Sequence, residues 1–333
     1  MTNHRMRPDE LGVVIGKFLP PHAGHHFLID TGLANCTKLV VVVCGKPADP
    51  IPAALRTAWL RELHPAAEVR LIDDRYDEHD SKVWANNTIE WLGRAPDVVF
   101  TSEAYGDAYA AHLNCRHVLV DQARRQIPCS GTAVRENPFA HWHHLAPPVK
   151  AWYAKRIVCL GAESTGTTTL ARALAEGLAT VWVSEYGRNY SLTKQTSGEM
   201  AWRSDEFMEI AREQTRLEDL AAREADKYLI CDTNAFATTL WHRRYVGCDD
   251  AALSAYGSTA KADLYLLTGD EIPFVQDGLR DGEAIRHTMH RWFVEALEQQ
   301  SVPWLLLQGS PERRLAQALA AVQRYFPSRP AGP

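Results

Sequence analysis

The 333-residue chain holds seven cysteines, and no two of them form a CxxC pair. Cys36, Cys44, Cys115, Cys129, Cys159, Cys231 and Cys248 stand singly, most in or beside apolar runs. That pattern gives no CxxC redox or zinc framework and reads as buried thiols in a reducing compartment. Long hydrophobic runs are missing too: stretches such as Leu39–Cys44 fall far short of the roughly 20 residues of a membrane helix. The first residues, Met1-Thr2-Asn3-His4-Arg5, form no apolar leader. Nor is positive charge in excess. The 36 Lys+Arg against 41 Asp+Glu leave a net charge of −5, so bulk electrostatics favours neither nucleic acid nor an anionic membrane. Repeats and low-complexity segments are lacking. These absences leave a cytoplasmic enzyme of two globular domains as the expectation.

What is present is an alternation of short apolar runs and helical spacings. Leu11–Ile15, Lys38–Cys44, Glu68–Ile72, Asp97–Thr101 and His117–Val120 read as buried strands, separated by helices near 24–35, 52–63, 83–93 and 105–112. The pattern breaks at Ala146-Pro147-Pro148-Val149 and resumes. Arg156–Leu160, Val181–Ser184, Tyr228–Cys231, Asp263–Leu267 and Trp304–Leu307 form a second strand series. Helices are expected at 167–178, 204–225, 233–244, 282–299 and 311–325. The fold class is therefore α/β, with two doubly wound parallel-sheet domains in tandem at 11–146 and 156–326, joined by a linker at 147–155.

The most informative stretch follows the first strand: Gly16-Lys17-Phe18-Leu19-Pro20-Pro21-His22-Ala23-Gly24-His25. Open α/β sheets bind ligands at the C-terminal ends of their strands, and a helix start offers unpaired N–H groups to anions. Gly16 relaxes the turn, and Gly24 lets a ligand approach the backbone. Lys17 can reach a phosphate, and two imidazoles three positions apart can stabilise charge on a phosphoryl group. A lone HxGH would be weak; the whole arrangement after a strand is specific. A second segment, Ser130-Gly131-Thr132-Ala133-Val134-Arg135, opens a short helix with hydroxyls, N–H groups and a guanidinium. Read alone, it is equally an ordinary capped helix. Together the segments resemble the nucleotidyltransferase superfamily, in which HxGH and an S-x-T-x-x-R-like element jointly hold ATP.

A third motif follows the strand at 156–160. Gly161-Ala162-Glu163-Ser164-Thr165-Gly166-Thr167-Thr168, leading into Thr169, has the placement and glycine spacing of a P-loop. Thr168 occupies the Mg²⁺-ligand position, but Thr167 stands where the phosphate-gripping lysine belongs. Backbone N–H groups survive that change, so nucleotide binding is better supported than catalysis. Downstream, Glu185-Tyr186-Gly187-Arg188 and the strand end Cys231-Asp232-Thr233 suit a small kinase. Glu185 suits a proton acceptor or a ribose ligand, and Asp232 suits Mg²⁺. Asp277-Gly278-Leu279-Arg280 and Arg286 read as a lid. Arg188, Lys194, Arg280 and Arg286 are candidates to replace the lysine, and the sequence does not choose among them.

The combination of GxFxPxHxGH, SGTAVRENP, the P-loop, EYGR, CDT and DGLR resembles one family over about residues 11–325. That family is the bifunctional nicotinamide-mononucleotide adenylyltransferases/ribosylnicotinamide kinases (NadR type). The resemblance implies an HxGH nucleotidyltransferase domain of Rossmann-like fold followed by a P-loop kinase-like domain. The first joins AMP from ATP to nicotinamide mononucleotide (NMN), giving NAD and pyrophosphate; the second phosphorylates nicotinamide riboside to NMN. ATP would be the co-substrate and Mg²⁺ the cofactor, with NMN, nicotinamide riboside and NAD as small-molecule partners. His22, His25, Lys17, Arg135, Glu185 and Asp232 would carry the chemistry. Gly16, Phe18, His22, Gly24, His25, Ser130, Thr132 and Arg135 would hold ATP at the first site. At the second, ATP would lie on Gly161, Glu163, Ser164, Thr165, Gly166, Thr167, Thr168 and Thr169, with Mg²⁺ on Thr168 and Asp232. Some members carry an N-terminal helix-turn-helix domain; with about ten residues ahead of the first strand, DNA binding through one is not expected here. Oligomeric state is left open. The rival expectation keeps the transferase and makes the P-loop domain a nucleotide sensor without kinase chemistry, because of Thr167.

Trp84 and Trp91, seven apart, share one helix face, a spacing that reads first as core packing. The family stacks nicotinamide on an aromatic, which makes Trp84 the candidate, with Asn87 as a polar partner. His141-Trp142-His143-His144 lacks a neighbouring cysteine or carboxylate in sequence, so a solvated turn is expected there rather than a metal site.

Overall fold

In the computed structural model, residues 10–77, 80–198, 201–273 and 283–327 are described. The chain divides into two compact units between Val149 and Lys150. In the first, β1 (Leu11–Gly16), β2 (Lys38–Gly45), β3 (Glu68–Asp73), β4 (Val98–Thr101) and β5 (Arg116–Leu119) form a parallel sheet of order β3-β2-β1-β4-β5. Helices α1 (Ala23–Asn35), α2 (Ala53–Leu63), α3 (Ser81–Leu92) and α4 (Gly106–Leu113) make the crossovers, and α5 (Gly131–Glu136) follows β5. Successive strand residues face opposite ways, so a sheet covered on both faces needs unbroken apolar runs. Val14, Val41 and Val43 pack with Leu28 and Ile29 of α1, while Val13, Val40 and Val42 pack with Ala85, Tyr109 and Leu113 of α3 and α4. The chain leaves β1 on one side for β2 and later returns on the other for β4. That reversal opens a crevice at the C-terminal end of β1, where the HxGH loop lies.

The second unit repeats the architecture with β6 (Lys155–Leu160) at its centre, in a parallel sheet of order β10-β9-β6-β8-β7. Its strands are β7 (Trp182–Val183), β8 (Tyr228–Asp232), β9 (Leu264–Thr268) and β10 (Trp304–Leu307). Alpha-helix α7 (Thr167–Gly177) leaves the P-loop, and α13 (Pro311–Tyr325) packs on the same face of the sheet. Between them lie α8 (Tyr186–Ser197), α9 (Ser204–Ala221), α10 (Ala235–Val246), α11 (Ala251–Gly257) and α12 (Glu283–Glu298). Among the described residues no helix is long and apolar enough to cross a membrane.

Four elements differ from expectation. The segment read as a linker holds α6 (Pro147–Tyr153), whose prolines stand in the first turn, where a missing N–H costs nothing. Helix α8 has no buried apolar stripe and α11 spans only seven residues, so neither shows a periodic signal in the sequence. The His141–His144 segment is not a bare solvated turn: Trp142 is buried and residues 142–144 form a 3₁₀ turn.

Candidate phosphate-binding sites

At the first site the β1 backbone turns sharply at Phe18, which takes a left-handed φ of 47° and buries its ring. His22 caps α1: its Nδ1 accepts from the Gly24 N–H at 3.1 Å. The His22 and His25 rings lie 3.9 Å apart, and Phe18 meets His25 edge-on at 5.0 Å. A Cβ on Gly24 would stand 3.1 Å from the His22 ring, so glycine there preserves the ring's position. Burial, then the neighbouring His26 and Arg124, lower the His22 pKa to about 3. Burial and His22 push His25 well below the usual imidazole range. Both rings are therefore neutral N–H donors at pH 7, with the His25 Nδ1 buried and unpartnered among the described residues.

The second segment meets this loop. Gly131, opening α5, approaches the Leu19 carbonyl so closely that a Cβ would sit 2.8 Å from its oxygen. Arg135 donates to the same carbonyl and, at 3.1 Å, to Thr132 Oγ1. Ser130 Oγ is occupied as the helix cap, accepting from Ala133 N at 3.1 Å. Lys17 is exposed, and its carbonyl is held by the fully buried Arg56. Trp84 packs in an aromatic cluster 5.6 Å from Tyr76 and 6.0 Å from Trp91, and donates through Nε1 to the Asp77 carbonyl. The Asn87 amide is turned back on its own helix, to Val83 O at 2.8 Å.

At the second site, Gly161 has no room for a side chain: a Cβ would lie 2.2 Å from Thr268 Oγ1 and 2.4 Å from Thr165 Oγ1. Ser164 and Gly166 take left-handed φ values of 59° and 85°, bending the loop into the start of α7. Such a turn aims consecutive N–H groups at one point. The loop rims a cavity of about 640 Å³, the size of a small-molecule site. Thr168 Oγ1 donates to Asp232 Oδ2 at 2.5 Å across that cavity. Glu163 and Glu185 line it as well. Burial and the Asp232 charge push Glu185 up to about 8, and burial raises Asp232 against hydrogen bonds from Thr168 and Thr167.

Residues 156–314 match the protein family described as "AAA domain". The whole chain is similar to the "Trifunctional NAD biosynthesis/regulator protein NadR" of Escherichia coli, 29% identical over 90% of this chain and 78% of that one. The protein of the same description from Salmonella typhimurium is 28% identical over 90% of this chain and 79% of its own. The chain resembles the NadR type over nearly its whole length. Two solved structures, of a NadR protein in complex with NR and of one in complex with NAD and AMP-PNP, share its fold at TM-scores of 0.76 and 0.78. Each is 21% identical and covers 96% of this chain and 97% of the solved one.

Of the four cations weighed against the missing lysine, Arg188 and Lys194 line the cavity. Lys194 is buried against Glu206 at 2.7 Å, whereas Arg188 acts electrostatically on both Glu185 and Asp232. Arg286, expected in a lid, is buried in α12 and holds the carbonyls of Asp270 and Ile272. Arg280 lies outside the described residues. Sequence reading missed several residues. Arg314 of α13 braces the P-loop from behind, donating to Thr165 O at 2.6 Å and Gly269 O at 2.9 Å. Trp202, Phe207, Trp241 and Tyr245 form an aromatic wall of the cavity, and Tyr245 hydroxyl bonds Glu163 at 3.1 Å. Long sequence separation hides such partners; an arginine on an otherwise apolar helix face is the one signal they leave.

Proposed function

We propose that the chain makes NAD in two steps, phosphorylating nicotinamide riboside to NMN in its second unit and adenylylating NMN in its first. The observation that carries this is the pairing, in one chain, of the HxGH loop and a P-loop, each after the central strand of its own sheet. The NadR descriptions of the relatives and the NR and NAD named in the related structures agree with it.

In the first unit, an oxygen of the NMN phosphate attacks the α-phosphorus of ATP, and the bond to the pyrophosphate oxygen breaks. The attacking oxygen is already anionic, so no base is required. His22 and His25, held by the Gly24 contact and by Phe18, donate N–H to the α- and β-phosphate oxygens as charge shifts onto pyrophosphate. Arg135 and Thr132, with the N-terminal turn of α5, hold the β- and γ-phosphates, and Lys17 neutralises from the open side. Trp84 and Asn87 remain candidates for the nicotinamide; both require a changed side-chain partner to serve.

In the second unit, the loop N–H groups from Gly161 to Thr169 cradle the nucleotide's phosphates. Glu185, protonated in the ligand-free chain and ionised once positive charge from Mg²⁺ would stand beside it with Arg188, accepts the proton of the riboside 5′-hydroxyl as its oxygen attacks the γ-phosphorus and ADP departs. Three carboxyl groups, Glu163, Glu185 and Asp232, converge with the Thr168 hydroxyl, an all-oxygen donor set that fits Mg²⁺. Thr168 and Asp232 would hold the ion, which supplies positive charge to the phosphates. Arg188 replaces the P-loop lysine, since it faces the same carboxylates. The aromatic wall at Trp202 and Tyr245 suits the flat, cationic pyridinium ring of the riboside.

Two assays on the full chain test the reading. ATP, Mg²⁺ and NMN should give NAD and pyrophosphate; ATP, Mg²⁺ and nicotinamide riboside should give NMN and ADP. No NAD from folded protein rejects the first half. Nucleotide binding without NMN formation rejects the second in favour of the sensor reading that Thr167 motivates; Thr167→Lys is then the rescue to attempt.

A further inference from the structure

The segment His141–His144, set aside as a metal site because no cysteine accompanies it in sequence, gains one from the fold. Cys129 Sγ and one nitrogen each of His141 and His144 all lie within 4.8 Å of one another. A 3₁₀ turn nearly eclipses side chains three apart, so the 142–144 turn sends His141 and His144 to the same side, their rings stacked at 6.3 Å. Trp142, buried and edge-on to Phe139 at 5.7 Å, anchors that turn from beneath. Cys129 is buried and follows Ile127 in a tight turn closed by Cys129 N to Ile127 O at 2.8 Å.

We propose that Cys129, His141 and His144 bind a zinc-class divalent cation, a site separate from the Mg²⁺ carboxylates of the P-loop. One thiolate and two imidazoles are a borderline-soft set that selects Zn²⁺ and its neighbours Co²⁺ and Ni²⁺ over Mg²⁺. Zinc bonds of about 2.0–2.3 Å place tetrahedral ligands roughly 3.3–3.7 Å apart, so the three atoms need close by no more than about 1.5 Å on binding. Rotation about the half-buried imidazole side chains covers that distance. The cysteine gives its proton to solvent as the metal–sulfur bond forms, and water takes the fourth position. Cys129 directly precedes Ser130, the cap of α5. The ion would thus staple the start of α5 to the turn beyond its end. The proposal stands whether or not the adenylyl-transfer reading does.

The test uses the full chain, stripped with a chelator under reducing conditions and titrated with Co²⁺ alone. One equivalent should produce the thiolate-to-cobalt charge-transfer band, and Zn²⁺ should then displace it. Cys129→Ser should abolish the band, and His141→Ala and His144→Ala should each weaken cobalt binding at least tenfold, while Cys248→Ser leaves both unchanged. Zn²⁺ should raise the unfolding midpoint of the wild type and not that of His141→Ala. Should Cys129→Ser fail to fold, the two histidine variants, at half-buried positions, decide alone. Absence of the band in folded wild type, its survival in Cys129→Ser, or unweakened binding in both histidine variants overturns the proposal.

Discussion

Glu185 and the His22–His25 pair are chemical groups whose protonation the fold has shifted in opposite senses relative to need. A carboxyl raised to about 8 is protonated in the folded state where the unfolded chain is ionised, so it erodes stability as pH climbs from its ordinary value near 4.5 towards 8. Glu185→Gln should therefore raise the unfolding free energy of the ligand-free protein, by about 3–5 kcal/mol at pH 8 and negligibly at pH 4.5. The same variant should lose nicotinamide riboside phosphorylation, as read by NMN formation. The histidines work the other way. With folded pKa values lowered from 6.5, to about 3 for His22, they resist protonation that the unfolded chain accepts. Their contribution to stability is whole above pH 6.5 and drains away as pH falls towards 3. Triphosphate placed beside them should reverse that preference. ATP binding at pH 6 should take up protons, measured by calorimetry in buffers of different ionisation enthalpy, and the His22→Ala/His25→Ala pair should take up fewer.

The working parts are loops whose shape is set by small residues and buried arginines. Gly161→Ala should cost about 1–3 kcal/mol and abolish kinase turnover, because its Cβ would overlap the Thr268 and Thr165 hydroxyls. Gly24→Ala should be milder in stability yet lower NAD formation at least tenfold, since its Cβ displaces the His22 ring. Comparing denaturant melts with the two activities separates these outcomes. Helix α13 matters to the second loop through one side chain. Arg314→Met leaves the Thr165 and Gly269 carbonyls without their donor and should destabilise by about 2–3 kcal/mol, a loss visible in urea. Arg56 does the equivalent for the loop after β1, tying Lys17 O to Ile51 O and Asp49.

For the whole molecule, the HxGH loop and the P-loop follow the central strands of separate sheets, so the two proposed half-reactions should separate by mutation. Given nicotinamide riboside and ATP, His25→Ala should accumulate NMN, while Glu185→Gln should form NAD only from added NMN; chromatography of the products reads both. Ten strands, their parallel alternation and the positions of both phosphate loops were legible in the sequence because short valine- and leucine-rich runs and Gly/Pro turns are local signals. HxGH, SGTAVR and the P-loop are likewise local, and so is the replacement of lysine by Thr167. What the linear order could not show are meetings between distant segments. Gly131 against Leu19 O, Arg314 beneath Thr165, Tyr245 on Glu163 and Cys129 beside His141 and His144 exist only when strands and helices pack. The sequence by itself determined two doubly wound sheets and which loops leave their central strands. Tertiary structure alone decided which cations face the carboxylates, bringing Arg188 to the cavity and burying Arg286, because burial and charge pairing depend on neighbours that the chain supplies from afar.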